Sequence, residues 1–353
     1  MKVGIYDPYL DDLGGGEKYM MTIAQCLSKS NDVTVFWDNK KDLDALLERF
    51  SLDLSRISIK KNIFSSNVGF LNRFFESRKY DAIVFLSDGS IPLVSAKLFI
   101  HIQQPLPNVS LSLKSKFKVK RVTKFICNSN FTKSYIDKTF GVKSTVLYPP
   151  VEIKAKKIKK EDVILTVGKF RYKNVPLDDF KKQKVMIDAF KDMVKKELKG
   201  WKFVIVTGYS KEHEEEFRHL EEEAKGFPIE FFLGKEGDEV WEIYSGAKIY
   251  WHAAGFGEDL DMHPEHAEHF GMSIAEAMGA GTVPVVFSAG GPREIVEDKK
   301  SGFLWNTLDD LEDKTMELIK DSNLLNKMSK GAIERAMKFT GDRFCRELLE
   351  IIK

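Results

Sequence analysis

Two carboxylates eight residues apart, Glu268 and Glu276, stand in the run Glu268-His269-Phe270-Gly271-Met272-Ser273-Ile274-Ala275-Glu276. On an ideal helix that spacing leaves an offset of about 80°, so the two acids do not share one helical face. They fit a loop acid and a helix acid reaching one ligand from two sides. Gly271 opens the helix. The N–H groups after it have no intrahelical acceptor and can point at phosphate or sugar oxygens. A second cluster, Gly168-Lys169-Phe170-Arg171 with Lys181, Lys182 and Lys184, offers a guanidinium fork and ammonium point charges, which suit a diphosphate. A solvated basic loop has the same composition. A third, Gly14-Gly15-Gly16-Glu17, lets a backbone approach a ligand where a helix starts, or is a plain tight turn. It lacks the G-x-G-x-x-G spacing of a dinucleotide fingerprint.

Alternating strands and helices must position these groups. Continuous apolar runs at Val3–Tyr6, Val33–Trp37, Ala82–Leu86, Leu98–Ile102, Phe125–Cys127 and Thr145–Leu147 read as strands covered on both faces, as in parallel sheets. Met20, Ile23, Ala24 and Leu27 recur at helical spacing after the triple glycine. Tyr148-Pro149-Pro150 breaks this unit, and the lysine-rich stretch from Lys154 to Lys160 reads as a linker. A second series follows, with strands at Val163–Val167, Phe203–Val206, Ile229–Leu233, Lys248–Trp251 and Val283–Phe287 and helices over 184–197, 212–225 and 272–280. Two doubly wound α/β sheets in tandem are expected, with ligands beyond the carboxyl ends of the strands and a cleft between the domains. The expected boundaries are 1–152, 153–340 and a terminal helix, 341–353, that packs back on the first domain.

The composition agrees with this architecture and excludes others. With 353 residues, two domains are expected; 43% hydrophobic and 31% charged residues fit globular cores. A net charge of +2 argues against bulk attraction to nucleic acid. Cys26, Cys127 and Cys345 are odd in number and far apart, so neither a zinc site nor a disulfide framework is expected, only buried thiols in a reducing cytosol. No signal peptide and no apolar run of membrane-spanning length is seen. A cytoplasmic protein is expected, peripheral at the inner face of the membrane if it meets one. The basic run Lys114, Lys116, Lys118, Lys120, Arg121 and Lys124, with Phe70, Phe74 and Phe75 upstream, is either an anionic-lipid surface or a solvated charged face.

The element EHFGMSIAEAMGAGTVPV resembles the E-x7-E element of the retaining glycosyltransferases of family 4, which have the GT-B fold. The blocks GGGEKY, CNSNFTKSYI with STVLYPPVE, VGKFR with KKQKVMIDAF, FFLG with EVWEIYSGAKIY, and AGGPREIVEDKKSGFLW resemble the family's other blocks, in order. The wording EHFG is similar to mannosyltransferases that extend lipid-linked oligosaccharides. The resemblance implies roles. Arg171 and Lys181 grip the donor diphosphate, with Lys182 as the alternative because residues 172–180 lengthen the loop. Glu276 binds the ribose and Glu268 the donor sugar, beside the backbone of Phe270, Gly271, Met272 and Ser273. Gly234 lies on the base side, Gly15 and Gly16 approach the phosphates, and His101 lies near the transferred sugar or the acceptor.

What the resemblance implies is a hexosyltransferase that retains the anomeric configuration. It takes mannose from GDP-mannose, or in second place glucose or another hexose from its UDP sugar, and passes it to a glycan or lipid-linked glycan. No cofactor and no metal are expected, since Arg, Lys and helix-terminal donors meet the charge that develops on the leaving phosphate. One departure from the family pattern is Trp251-His252-Ala253, followed by GFGEDLDMHPEHAEHFG, whose histidines and acids could also hold a metal. The rival readings are an NAD-dependent oxidoreductase, for which Asp38 closes the second strand, and a sugar-nucleotide-binding subunit that has lost catalysis.

Overall fold

The computed structural model describes residues 1–353 apart from Leu13, Ser51, Asn108, Ser110, Leu111, Val175, Pro176 and Glu197; side chains are described outside 172–178. The chain divides into two compact units, Met1–Pro150 with Gly341–Lys353, and Val151–Thr340.

The first unit contains strands β1 (Lys2–Tyr6), β2 (Asp32–Phe36), β3 (Ile57–Lys60), β4 (Ala82–Leu86), β5 (Lys97–Ile102), β6 (Val122–Cys127) and β7 (Thr145–Val146). Its helices are α1 (Gly15–Ser28), α2 (Lys40–Phe50), α3 (Phe70–Ser77), α4 (Leu113–Val119) and α5 (Asn130–Phe140). The strands pair in parallel in the order β3-β2-β1-β4-β5-β6-β7. The β-branched runs that suggested two-sided burial are buried: Ala82 to Leu86 are all inside. The short strand β3 was not expected. Its register puts Ile57 opposite Val33, but three of its four residues are exposed at the sheet edge, so it carries little apolar signal.

The second unit contains β8 (Glu161–Val167), a hairpin of β9 (Tyr172–Asn174) and β10 (Leu177–Asp179), then β11 (Lys202–Thr207), β12 (Ile229–Leu233), β13 (Ala247–His252), β14 (Val283–Phe287) and β15 (Phe303–Trp305). Helices α6 (Gln183–Lys195), α7 (Glu214–Ala224), α8 (Gly237–Gly246), α9 (Met272–Gly279), α10 (Pro292–Ile295), α11 (Leu308–Lys320) and α12 (Ser322–Ala336) surround the sheet. The six main strands are parallel in the order β12-β11-β8-β13-β14-β15. The first strand of the unit in sequence, β8, is thus central, and the winding reverses between β8 and β13, the switch point where such sheets place ligands.

The last helix, α13 (Gly341–Ile352), belongs to the first unit. Phe344, Leu348 and Ile352 recur at i, i+4 and i+8 and are buried in the core with Tyr19, Ile23 and Leu27 of α1. This packing overturns the reading of the cysteines as separate thiols. Cys26 of α1 and Cys345 of α13 are joined in a disulfide, with Cα atoms 5.3 Å apart and a separation of 319 positions in sequence. Sequence spacing hid the pair because only the return of α13 brings it together. Cys127 is a buried free thiol, pushed up to about 12 by burial.

The lysine-rich stretch also differs from expectation. The chain passes between units at Pro150 and Val151, and Lys154–Lys160 packs on the second unit. Lys160 Nζ donates to the carbonyls of Ser245 and Ala247 and to Thr282 Oγ1 at 3.2, 2.7 and 3.2 Å. Its charge is satisfied by helix-end carbonyls that no local sequence signal announces.

Candidate active site

A cluster of polar side chains gathers at the carboxyl ends of β8 and β13. Gly168 follows β8, and α6 is bound to that strand end: Gln183 Nε2 donates to the Gly168 carbonyl at 2.9 Å and to Thr207 Oγ1 at 3.2 Å. Asp179 caps the turn, accepting from the backbone N–H groups of Lys181, at 2.9 Å, and Gln183. Burial raises the Asp179 carboxyl to about 6 despite these donors. A Cβ on Gly168 would lie 3.3 Å from Lys181 Cγ, so this glycine lets the lysine stem run across the strand end.

The β9–β10 hairpin accounts for the lengthened loop. The Phe180 N–H donates to the Arg171 carbonyl at 3.0 Å, so the excursion closes on itself and Arg171 stays near the start of α6. The two candidate lysines part at that point. Lys181 Nζ reaches Glu268 Oε2 at 2.5 Å, whereas Lys182, in a left-handed conformation with φ 57°, turns to Glu258 Oε1 at 2.7 Å. Lys181 is therefore the lysine paired with the first acid of the E-x7-E element. Arg171 is exposed.

Glu268 sits in a loop shaped by glycines. The Gly291 N–H donates to the Glu268 carbonyl at 2.8 Å. A Cβ on Gly290 would stand 2.2 Å from that carbonyl oxygen, and one on Gly291 would stand 2.3 Å from Phe270 Cα. The Gly290-Gly291 turn is thus a close support for the loop. His252, the last residue of β13, approaches the same Glu268 oxygen through Nε2 at 3.1 Å. Burial opposes ionisation of Glu268, but the Lys181 ammonium and the His252 hydrogen bond outweigh it and hold the carboxyl well below its usual range. Burial lowers the His252 pKa. The neutral ring donates from Nε2 to the carboxylate, and Nδ1 is left buried with no partner.

Gly271, at φ +104°, starts α9. The first N–H groups of that helix, at Met272 and Ser273, have no acceptor within the helix and carry its positive dipole end. Phe270 is buried behind them. Tyr250 donates its hydroxyl to Ser273 Oγ at 2.8 Å and lies 3.2 Å from the Val167 carbonyl. One turn on, buried Tyr244 donates to Glu276 Oε2 at 3.2 Å, and burial beside Glu276 raises that tyrosine well above its ordinary pKa. Glu268 and Glu276 are accordingly a loop acid and a helix acid with separate supports. Gly234, exposed after β12 at φ +65°, donates its N–H to the Thr207 carbonyl at 3.1 Å and belongs to the edge of the sheet.

Residues 151–335 match the family model for glycosyl transferases group 1. The chain belongs to this family. As a group 1 glycosyl transferase it is 22% identical to a GDP-Man:Man(3)GlcNAc(2)-PP-Dol alpha-1,2-mannosyltransferase of Dictyostelium discoideum, over 100% of this chain and 84% of that one. It is 25% identical to the alpha-1,3/1,6-mannosyltransferase ALG2 of the same organism, over 79% and 77%. Among solved structures, Anabaena Alr3699/HepE in complex with UDP matches with a TM-score of 0.76 at 17% identity, over 100% of this chain and 99% of that one. At that identity the likeness shows the fold, which is GT-B, with two parallel sheets and alternating helices. The oxidoreductase reading is set aside by the family.

The remaining candidates of this glycosyl transferase lie in the first unit. His101, in β5, is fully buried and stacked on Tyr19 with ring centroids 4.2 Å apart. Burial pushes its pKa down to about 3. Its Nδ1 lies 3.1 Å from the Ile126 carbonyl, so the proton is on Nδ1, and Nε2 is a buried lone pair without a partner. Gly15 and Gly16 open α1. Gln103 Nε2 donates to the Gly16 carbonyl at 3.2 Å, and a Cβ on Gly16 would fall 2.5 Å from Gln103 Oε1. His252, Tyr250, Tyr244, Glu258 and Asp179 were missed as supports. A sequence signal existed only for Tyr250 and His252, polar side chains in the otherwise apolar strand β13.

Proposed function

We propose that this glycosyl transferase is a retaining, family 4 hexosyltransferase that takes mannose from GDP-mannose and passes it to a glycan or lipid-linked glycan. The observation that carries the reading is the Lys181–Glu268–His252 cluster at the β8–β13 switch point, beside the N-terminus of α9 that holds Glu276. In this reading Arg171, Lys181 and the N–H groups of Met272 and Ser273 bind the donor diphosphate. They gain strength as the glycosyl bond breaks and negative charge grows on the leaving phosphate. Glu276, steadied by Tyr244, accepts from the ribose hydroxyls. Glu268, kept ionised, accepts from hydroxyls of the sugar.

The acceptor hydroxyl attacks from the face the phosphate leaves, and a phosphate oxygen takes its proton. The new glycosidic bond forms as the old one breaks, which retains configuration. The transfer calls on no metal, because fixed cations meet the phosphate charge. His101, a neutral base with its Nε2 lone pair inside the first unit, is proposed to orient the acceptor or the transferred sugar. The names of the two mannosyltransferase relatives support mannose as the sugar. The complex of Anabaena HepE with UDP keeps a UDP-hexose as the second reading.

Peripheral membrane contact on the cytoplasmic side belongs to the same proposal. Among the described residues no helix is long and apolar enough to cross a membrane. Helix α4 exposes Leu113 and Phe117 among Lys114, Lys116, Lys118 and Lys120, and α3 exposes Phe70, Leu71 and Phe75. Apolar side chains with lysines around them fit an anionic lipid surface.

Incubation with GDP-mannose or UDP-glucose and lipid-linked or free glycan acceptors tests the reading. Release of GDP with an α-linked product by NMR is expected. An inverted product, or no transfer from either donor to any acceptor, would overturn it. Flotation with anionic and neutral vesicles tests the surface; equal behaviour with both would remove the membrane from the proposal.

A further inference from the structure

The segment between β13 and α9 contains three histidines, and the donor reading uses none of them. Pro264–His266 forms one turn of 3₁₀ helix. In such a turn side chains three apart eclipse, which stacks His263 on His266 with ring centroids 5.0 Å apart and planes 16° apart. The stack brings the two imidazoles to the same face of the turn.

Glu265 stands between them. Its Oε1 accepts from His263 Nδ1 at 3.2 Å, a contact in which an ion would take the place of the shared proton. A tetrahedral ion with bonds of about 2.0 Å has ligand atoms about 3.3 Å apart, so the spacing of these two atoms suits one edge of its coordination polyhedron. One ligand atom from each of His263, Glu265 and His266 lies within 4.8 Å of the others. The exposed His263 ring has room to close the remaining edges. The other Glu265 oxygen, Oε2, is buried without a hydrogen-bond partner, which is costly for a carboxylate unless a cation joins it.

His266 is oriented as a ligand would be. Its Nδ1 lies 2.7 Å from Glu258 Oε2. A carboxylate oxygen accepts, so Nδ1 is the donor and Nε2 is the nitrogen left to meet an ion. Outer carboxylates of this kind fix ligating histidines. The second Glu258 oxygen accepts from Lys182 Nζ at 2.7 Å, so His266, Glu258 and Lys182 form a continuous chain to the start of α6.

We propose that His263, Glu265 and His266 bind one divalent first-row transition ion, with Glu258 as the outer partner of His266. Two imidazoles, one carboxylate and a water match zinc best. The ion fastens the loop that leads into Glu268 and, through Glu258, the Lys182 turn. The site is independent of the donor reading, in which phosphate charge is met by Arg171 and Lys181.

The test uses untagged, EDTA-treated full-length protein titrated with zinc chloride by calorimetry, with cobalt(II) absorption as a second probe. One equivalent of zinc, a tetrahedral cobalt spectrum and a raised melting temperature are expected. Binding weakens at least tenfold in Glu265→Gln and is lost in His263→Ala/His266→Ala. Glu258→Gln weakens binding without changing the stoichiometry. Far-UV circular dichroism and the melting transition report whether each variant is folded, and Glu265→Gln is close in shape if the double variant is not. Absence of saturable zinc binding, or unchanged affinity in a folded Glu265→Gln variant, would overturn the proposal. Neither result bears on sugar transfer.

Discussion

Lys181 and Glu268 are 87 residues apart in sequence and form a 2.5 Å ion pair, with 23% and 16% of their side chains accessible. Their partial burial makes the loss of either partner costly, since the other is left as an uncompensated charge. Lys181→Met is expected to lower unfolding free energy by about 2 kcal/mol, and Lys181→Met/Glu268→Gln to recover part of that loss. Urea unfolding of the two single variants and the double variant measures the coupling. Strictly additive losses would show that the pair contributes nothing beyond its separate contacts.

Glu276 and Arg171 have different roles in the proposed donor site, and their variants should differ. Glu276→Ala is expected to weaken nucleotide binding roughly tenfold, because about one charge-assisted hydrogen bond is lost. Arg171→Ala is expected to lower kcat more than it raises KM, since its interaction strengthens with the leaving charge. Calorimetry on the first variant and steady-state kinetics on the second check this. Wild-type donor affinity together with wild-type turnover would contradict both roles.

The Cys26–Cys345 bond closes a loop of 319 residues, which in the chain-entropy account stabilises by up to about 5 kcal/mol. Phe344, next to Cys345, packs edge-on against Tyr19 at 5.0 Å, and Tyr19 stacks on His101. Cys345→Ser is expected to lower the melting temperature by several degrees and to abolish the effect of dithiothreitol on melting. A melting temperature equal in wild type and variant would show that α13 is held by apolar packing alone.

His101 gives a pH signature. Its folded pKa is about 3 against an ordinary 6.5. A base with a depressed folded pKa contributes stability that is fully present above pH 6.5 and is lost as pH falls toward 3. Between pH 6.5 and 4 the wild type should lose about 3 kcal/mol more than His101→Gln. Parallel acid-unfolding curves would show that the ring is not held neutral.

Much of this was legible in sequence because parallel strands buried on both faces leave continuous apolar runs. Val163–Val167 and Phe203–Val206 mark β8 and β11 within two residues. The E-x7-E element also carried its geometry, because Gly271 ends the loop that holds Glu268 and opens the helix that holds Glu276. What escaped depends on tertiary closure. The β9–β10 hairpin that holds Arg171 near Lys181 reads as a long loop, His252 as a departure from the family pattern, and Gly290-Gly291 as part of a family block. The disulfide depends on where a terminal helix docks. Each is set by a partner far along the chain, so no local period announces it.

The central claim, that the second unit binds a nucleoside diphosphate through fixed cations and α9, is tested most directly by thermal shift. The full-length protein would be melted with GDP, UDP, dTDP, ADP and NAD, each with and without magnesium, since a ligand of the folded state raises the melting temperature by mass action. The account predicts a clear shift with GDP that magnesium does not alter, and a smaller one in Glu276→Ala. A shift with NAD alone, or none with any nucleotide, would contradict it.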